Sequence, residues 1–409
     1  MALTGIKVIE ATVQFGGLAP GPFAGLILAD NGASVTRIDR PDALSTDVLT
    51  RGKRSLAINS KVPSGRDLLR KLIASADVLI DPFRPGIMEK LGLGPEVFLG
   101  DGKNKGLNEK LVYARIAGFP RTGPHKDMAG HDLNYIALTG ALAMMPPGPS
   151  GAPTFPMNVL ADFAGGGLMC AVGVLLALIE RGRSGRGQVV NADMVTGARY
   201  VATFPLLHSI LPTSHILGKG KPGTNTLDGG APFYNTYECK DGMFMSVGCL
   251  EPQFFKVFID GFSAALPKNF EFENGWRPTP DIQANKDEWP RIRAYFTKGF
   301  STNTRDYWGK VFHGTDACAV PVLTPKEAAK NQGSPFPEFH PQVVRRDMDT
   351  LSGNPQKSTS FGDIILQPGS HTDAILREAG LSDKEIRQLS LDGALGQEAQ
   401  KSARVNVKL

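Results

Sequence analysis

The chain has 409 residues, 41% apolar and 21% charged, with 45 Lys and Arg against 40 Asp and Glu. That length supports two or three domains and at least one full hydrophobic core. A surplus of five positive charges argues against nucleic acid as a partner, while a local cluster can still hold a phosphorylated ligand. The cysteines Cys170, Cys239, Cys249 and Cys318 form no C-x-x-C pair and no Cys/His cluster at zinc spacing, which indicates a reducing compartment and no structural metal.

MALTG runs straight into the strand-like IKVIE, so no removable presequence is expected. PGPFAGLILADNGA predicts a helix, with Pro at its start and Gly near its end. ASVTRIDRP reads as a second strand, RDLLRKLIASA as an amphipathic helix, DVLIDPF as a third strand and KLVYARIAGF as a fourth. Strands separated by helices imply βαβ units and a parallel sheet. The first turn lacks G-x-G-x-x-G, so this Rossmann-like pattern does not imply a dinucleotide.

The polar stretch 98–109 and the Pro-rich stretch 144–156 read as loops. Next comes NVLADFAGGGLMCAVGVLLALIERG, uncharged from Phe163 to Ile179. Its glycines and length favour a buried helix over a membrane span. Asp162 stands directly before it, where a helix N-cap is expected. A helix start also offers free N–H groups to an anion. Gly165, Gly166 and Gly167 would let another group approach the backbone, so the same place suits a catalytic carboxylate beside an oxyanion site.

His131, in AGHDLNYIALTG, sits in a turn before an apolar helix. It is either a surface or structural histidine or an acid/base residue on a loop at the end of an α/β strand. Glu251, in VGCLEPQFF, reads as a helix-start acid with Pro next, or as a carboxylate that fixes a histidine tautomer. Arg37, Arg40, Arg51, Lys53, Arg54 and Arg84 fall after or between the early strands, as surface charge or as a phosphate cradle.

The composition changes after Gly218. KGKPGTNTLDGG reads as a linker or mobile loop, and APFYNTYECKDGMFMSVG as a hairpin around Asp-Gly. EPQFFKVFIDGF, DEWPRIRAYFTKGF and TRDYWGKVF read as helices, and SDKEIRQLSLD as a last one with a capping acid. The expected organisation is a large Rossmann-like domain over 1–200, a linker over 201–220, a small α+β domain over 221–330 and a C-terminal segment over 331–409. The chain ends in Val-Lys-Leu, a weak form of the small-basic-leucine peroxisomal address, with mitochondrion or cytoplasm as the other compartments expected.

Taken together, GLAPGPFAGLILADNGASVTRIDRP, RGKRSLAINSK, PFRPGIMEKLGLGP, AGHDLNYIALTGAL, NVLADFAGGGLMCAVG, RGRSGRGQVVNADMV, LDGGAPFYNTY, VGCLEPQFF and GTDACAVPVL resemble the family III CoA-transferase superfamily. Within it they are most similar to the branch that racemises 2-methyl-branched acyl-CoA thioesters. The resemblance implies an α/β fold in which N- and C-terminal parts build the large domain. It also implies an interlocked homodimer with shared active sites and an acyl-CoA substrate, with no cofactor beyond the CoA of that substrate. By the same resemblance Asp162 and His131 are the catalytic acid/base pair, each with a pKa moved towards neutrality, and backbone N–H groups near Asp162 hold the enolate oxygen. Glu251 of a second subunit hydrogen-bonds the histidine. Arg40, with Ile58, Asn59, Ser60 and Lys61, holds the CoA nucleotide, and Arg84 assists. Gly130, Asp132, Leu133, Asn134 and Tyr135 line the thioester.

The main rival is a CoA-transferase of the same fold, with Asp162 attacking the thioester as a nucleophile. That chemistry needs neither His131 nor Glu251. A non-catalytic acyl-CoA binder would need neither His131 nor Asp162, and a nicotinamide-dependent dehydrogenase would need the missing glycine fingerprint.

Overall fold

The computed structural model describes residues 1–11, 19–341, 343 and 364–405. The C-terminal Val-Lys-Leu and most of the stretch 342–363 lie outside them. The described chain divides into two units. One comprises Met1–Gly140, Pro156–Ala202 and Phe339–Leu409, and the other Ala141–Phe155 and Thr203–Glu338. The helix Thr203–Ile210 occupies part of the stretch read as a linker.

The first unit is built on strands β1 (Lys7–Ala11), β2 (Ser34–Asp39), β3 (Lys53–Ala57), β4 (Val78–Asp81), β5 (Val112–Ala117) and β6 (Gln188–Asp193). They form one parallel sheet in the order β3-β2-β1-β4-β5-β6. Every residue of β4, VLID, is buried, as a parallel strand covered on both faces requires. On one face Ile9, Ile38, Leu79 and Tyr113 pack with Leu68, Leu69, Leu72 and Ile73 of the helix Pro63–Ala74. Ile375 and Leu376, from the C-terminal helix Thr372–Glu378, join the same cluster. The helix Met169–Ser184 lies over β6, where a Cβ on Gly173 would come 2.5 Å from Val190 Cγ1. The chain winds outward in both directions from the β1–β4 boundary, which makes the strand C-termini there the expected ligand crevice.

Two features explain what pattern alone does not show. Strand β3 reads KRSLA, and its leading cations hide it from a search for apolar runs. Lys53 is fully buried because its Nζ donates to Glu10 Oε2 at 2.7 Å and to the Pro22 carbonyl at 2.8 Å. Burial pushes the Glu10 carboxyl upward against the pull of Lys53. Lys53→Met is expected to cost about 3–5 kcal/mol, since it strands a buried carboxylate. Urea unfolding at pH 7 measures this, and Glu10→Leu added to Lys53→Met should recover part of the loss.

The C-terminal return is also held by buried charge. Arg37 donates to Asp39 at 2.9 Å, to Asp47 at 3.0 Å and to the Leu366 carbonyl at 2.7 Å. His371 N–H donates to the Ser55 carbonyl at 3.0 Å, so the returning segment docks along β3.

The apolar run expected as a buried helix is buried on one side only. Cys170, Ala171, Val174 and Ala177 face inward, while Leu176 and Ile179 are exposed. Val159–Ser184 is the helical run, among the described residues, long and apolar enough to cross a membrane, with 44% of its apolar window buried.

The second unit carries the antiparallel sheet β7 (Tyr234–Glu238), β8 (Phe244–Gly248) and β9 (Ala319–Pro321). β7 and β8 form the expected hairpin, with Gly242 in the left-handed region at φ +73. The helices Pro252–Ala265, Trp289–Phe300 and Arg305–Phe312 supply an aromatic core of Phe255, Phe258, Phe262, Tyr295, Phe296, Phe300, Trp308 and Phe312. The loop read as mobile is organised by one carboxylate. Asp228 accepts hydrogen bonds from the N–H groups of Gly223, Asn225 and Gly230 and from the Asn225 amide.

Candidate active site

A cavity of about 700 Å³ opens in the first unit beside the C-terminal ends of β4 and β5. That volume suits a small-molecule site. Its wall includes Gly21, Pro82, Phe83, Arg84, Ile116 and Phe119, with Lys126 and Met128 from the loop after β5. His131, Asn134, Tyr135 and Asp162 complete it. The two acid/base candidates, 31 residues apart in sequence, therefore open into one space.

Asp162 does not cap its helix. The helix begins at Val159 and runs to Leu168 with wide, π-type turns, so Asp162 lies within its first turns. Helix boundaries set by distant contacts are the least legible from sequence. Here the contact comes from Asp132, whose Oδ2 accepts from the N–H groups of Ala161 and Asp162, both at 2.8 Å. These two donors are therefore not available to an enolate oxygen, which corrects the expectation for the backbone around Asp162. Asp132 itself is buried, and its side chain holds this helix rather than lining the cavity.

The glycines serve packing. A Cβ on Gly197 would lie 1.9 Å from the Gly165 carbonyl oxygen, and one on Gly165 2.3 Å from the Ala198 nitrogen. A Cβ on Gly167 would meet the Pro20 carbonyl at 2.7 Å. Bare backbones let the 159–168 helix press between Pro20 and the helix Met194–Val201. Gly197→Ala is expected to cost about 1–3 kcal/mol through overpacking. A lower melting temperature, with a fall in turnover as Asp162 is displaced, would register it.

The Asp162 carboxyl is pushed up to about 6. Burial is the largest cause, and the Asp132 charge adds to it. The Asn158 amide, 3.4 Å from Asp162 Oδ2, and His131 oppose it. A carboxyl near neutrality can both take and return a proton at working pH. Asn158 was not picked out in the sequence, although its place four residues before Asp162 is a helical-neighbour signal.

His131 is exposed and precedes the short helix Asp132–Ala137. Its N–H donates to Asn134 Oδ1 at 3.0 Å, and its carbonyl accepts from Asn134 N–H at 2.8 Å. The Tyr135 hydroxyl donates to the Gly130 carbonyl. Its ring fills the space beside Gly118, where a Cβ would come 2.2 Å from it. The N–H groups of Asp132 and Leu133, in the first turn of this helix, have no acceptor among the described residues.

The nucleotide candidates lie along the same edge of the sheet. Arg40 follows β2 and is exposed, and Ile58–Lys61 follow the neighbouring β3. Ile58 N–H donates to the Asp39 carbonyl at 3.0 Å, which places the two turns side by side. Neither turn lines the cavity, nor does Leu133. Asn59 is engaged by the C-terminal segment, its N–H donating to the Ala394 carbonyl at 2.7 Å and its amide to Gly393 at 3.3 Å. Arg84, after β4, lines the cavity. Glu251 belongs to the second unit, where it is exposed and precedes Pro252 at the start of a helix.

The family model of CoA-transferase family III matches residues 3–347. The chain belongs to that family. It is 43% identical to the alpha-methylacyl-CoA racemase of Homo sapiens over 400 residues, covering 96% of this chain and 97% of the relative. The racemase of Mus musculus is likewise 43% identical, over 407 residues, 96% of this chain and 97% of that protein. The succinyl-CoA--L-malate CoA-transferase beta subunit of Chloroflexus aurantiacus is 31% identical over 95% of this chain and 97% of its own. The crystal structure of a CAIB/BAIF family protein from Brucella suis superposes with a TM-score of 0.67, at 21% identity, over 92% of this chain and 98% of that one, a likeness of fold.

Proposed function

We propose that the chain interconverts the 2R and 2S epimers of 2-methylacyl-CoA thioesters, with His131 and Asp162 as its two acid/base groups. The observation that carries this reading is the opening of both side chains into one cavity, with the Asp162 carboxyl pushed up to about 6. Inversion at C2 removes the α-proton to a base on one face. The electron pair moves into the thioester as an enolate, and the conjugate acid on the opposite face supplies a proton to C2. No electrons are lost, so the chemistry calls for two positioned proton carriers and CoA only as part of the substrate. Arg40, Ile58–Lys61 and Arg84 would hold the CoA nucleotide, and Gly130, Asn134 and Tyr135, which line the cavity, the thioester. Glu251 of a second copy of the chain would fix the His131 ring, making the working enzyme a homodimer with shared sites.

The test is incubation of a single-epimer 2-methylacyl-CoA with the purified protein. Approach to a mixture of both epimers without a second acid supports racemisation. Retained configuration, with CoA passing to added succinate or oxalate, would instead support the transferase reading with Asp162 as nucleophile.

A further inference from the structure

Glu251 is an exposed carboxylate with no hydrogen-bond partner among the described residues, yet the backbone that carries it is fixed from beneath. After β8 the chain turns through Cys249 and Leu250 before Pro252 starts the next helix. The carbonyls of Cys249 and Leu250 fall past the strand ladder. Both are taken by one buried side chain: Gln283 Nε2 donates to Cys249 at 3.1 Å and to Leu250 at 3.0 Å. Gln283 is only 6% exposed, and it is held in turn by Trp289, whose indole N–H donates to the Gln283 carbonyl at 2.9 Å. Cys249 is fully buried in the aromatic core, which anchors the near end of the turn.

A rigid stem under an unpaired charge is the arrangement needed to present that charge to a group outside its own unit. A carboxylate that sets the orientation of a histidine ring must itself be held to a fraction of an ångström. We infer that Gln283 is a positioning residue for catalysis, fixing the Cys249–Leu250 turn so that Glu251 meets its histidine. This rests on the reading of Glu251 given above. Gln283 touches neither substrate nor reacting atoms, and its effect passes wholly through Glu251.

The test is a double-mutant cycle on the full-length protein, using Gln283→Met, Glu251→Gln and the double variant with a single-epimer 2-methylacyl-CoA. Gln283→Met keeps the length of the side chain and removes both donors. It is expected to lower kcat about tenfold with KM within about twofold, since the lost interaction acts on the transition state. Added to Glu251→Gln it should cost little more, because the two act on one element. Trp289→Phe removes the donor to Gln283 together with part of the indole packed against Phe233; it should shift kcat the same way by less, and it serves if Gln283→Met does not fold. Losses that multiply in the double variant would overturn the inference, as would a Gln283→Met protein of lowered melting temperature with unchanged kcat. If Glu251→Gln alone leaves kcat unchanged, the role of Glu251 itself fails, a result distinct from a failure confined to Gln283.

Discussion

Asp162→Asn is expected to lower epimerisation about a thousandfold while raising the stability of the protein at neutral pH. The first effect follows from removing one of two proton carriers, each typically worth a factor of about 10² to 10⁴. The second follows from linkage. Folding raises the Asp162 carboxyl from 3.8 to about 6, chiefly by burial, so the folded state holds this proton more tightly than the unfolded chain. The stabilising contribution is full below the unfolded value and is lost as pH rises through 6. Asparagine keeps an acceptor for Asn158 and carries no charge to bury. The variant should therefore gain on the order of 1 kcal/mol at pH 7.5 and show no gain at about pH 3. Thermal unfolding across that range measures it. The same pKa places the loss of wild-type activity, in the direction where Asp162 is the base, below about pH 6.

Asp132 should show two separable effects. Asp132→Ala leaves the N–H groups of Ala161 and Asp162 without the acceptor that both reach at 2.8 Å. A cost of about 1–3 kcal/mol in stability is expected, with a fall in kcat of about a hundredfold as the Asp162 helix loses its anchor. Asp132→Asn keeps an oxygen for those donors and removes a charge that raises the Asp162 carboxyl. Its activity should stay within about tenfold of wild type, and its acid limb should move to lower pH. A pH profile of kcat for the two variants separates anchoring from charge. An acid limb unmoved in Asp132→Asn would show that the Asp132 charge does not act on Asp162.

Much of this was legible in the chain. Apolar strand segments and the helices between them marked β1, β2, β4 and β5 and their parallel pairing, and the Asp-Gly turn marked the β7–β8 hairpin. The family motifs led to His131 and Asp162, which the structure brings to one cavity. What stayed hidden depended on partners far away in sequence. Strand β3 was masked by Lys53, whose burial makes sense only beside Glu10. The start of the Asp162 helix was misplaced because its anchor, Asp132, lies 29 and 30 residues away from the N–H groups it holds. The glycines at 165–167 invited a reading as room for a ligand, but the room is taken by Pro20 and the 194–201 helix. Gln283 carries no local signal at all, since its two acceptors lie 34 and 33 residues upstream.

Inversion at C2 requires two acid/base groups that address opposite faces of one carbon. The most direct test follows solvent deuterium into C2 of each 2-methylacyl-CoA epimer, in the wild type and in His131→Ala and Asp162→Asn. The wild type is expected to label and invert both epimers, and both variants to lose inversion. Residual exchange without inversion should be confined to one epimer in His131→Ala and to the other in Asp162→Asn. Residual exchange on the same epimer in both variants, or inversion surviving either substitution, would rule out a two-base inversion by His131 and Asp162.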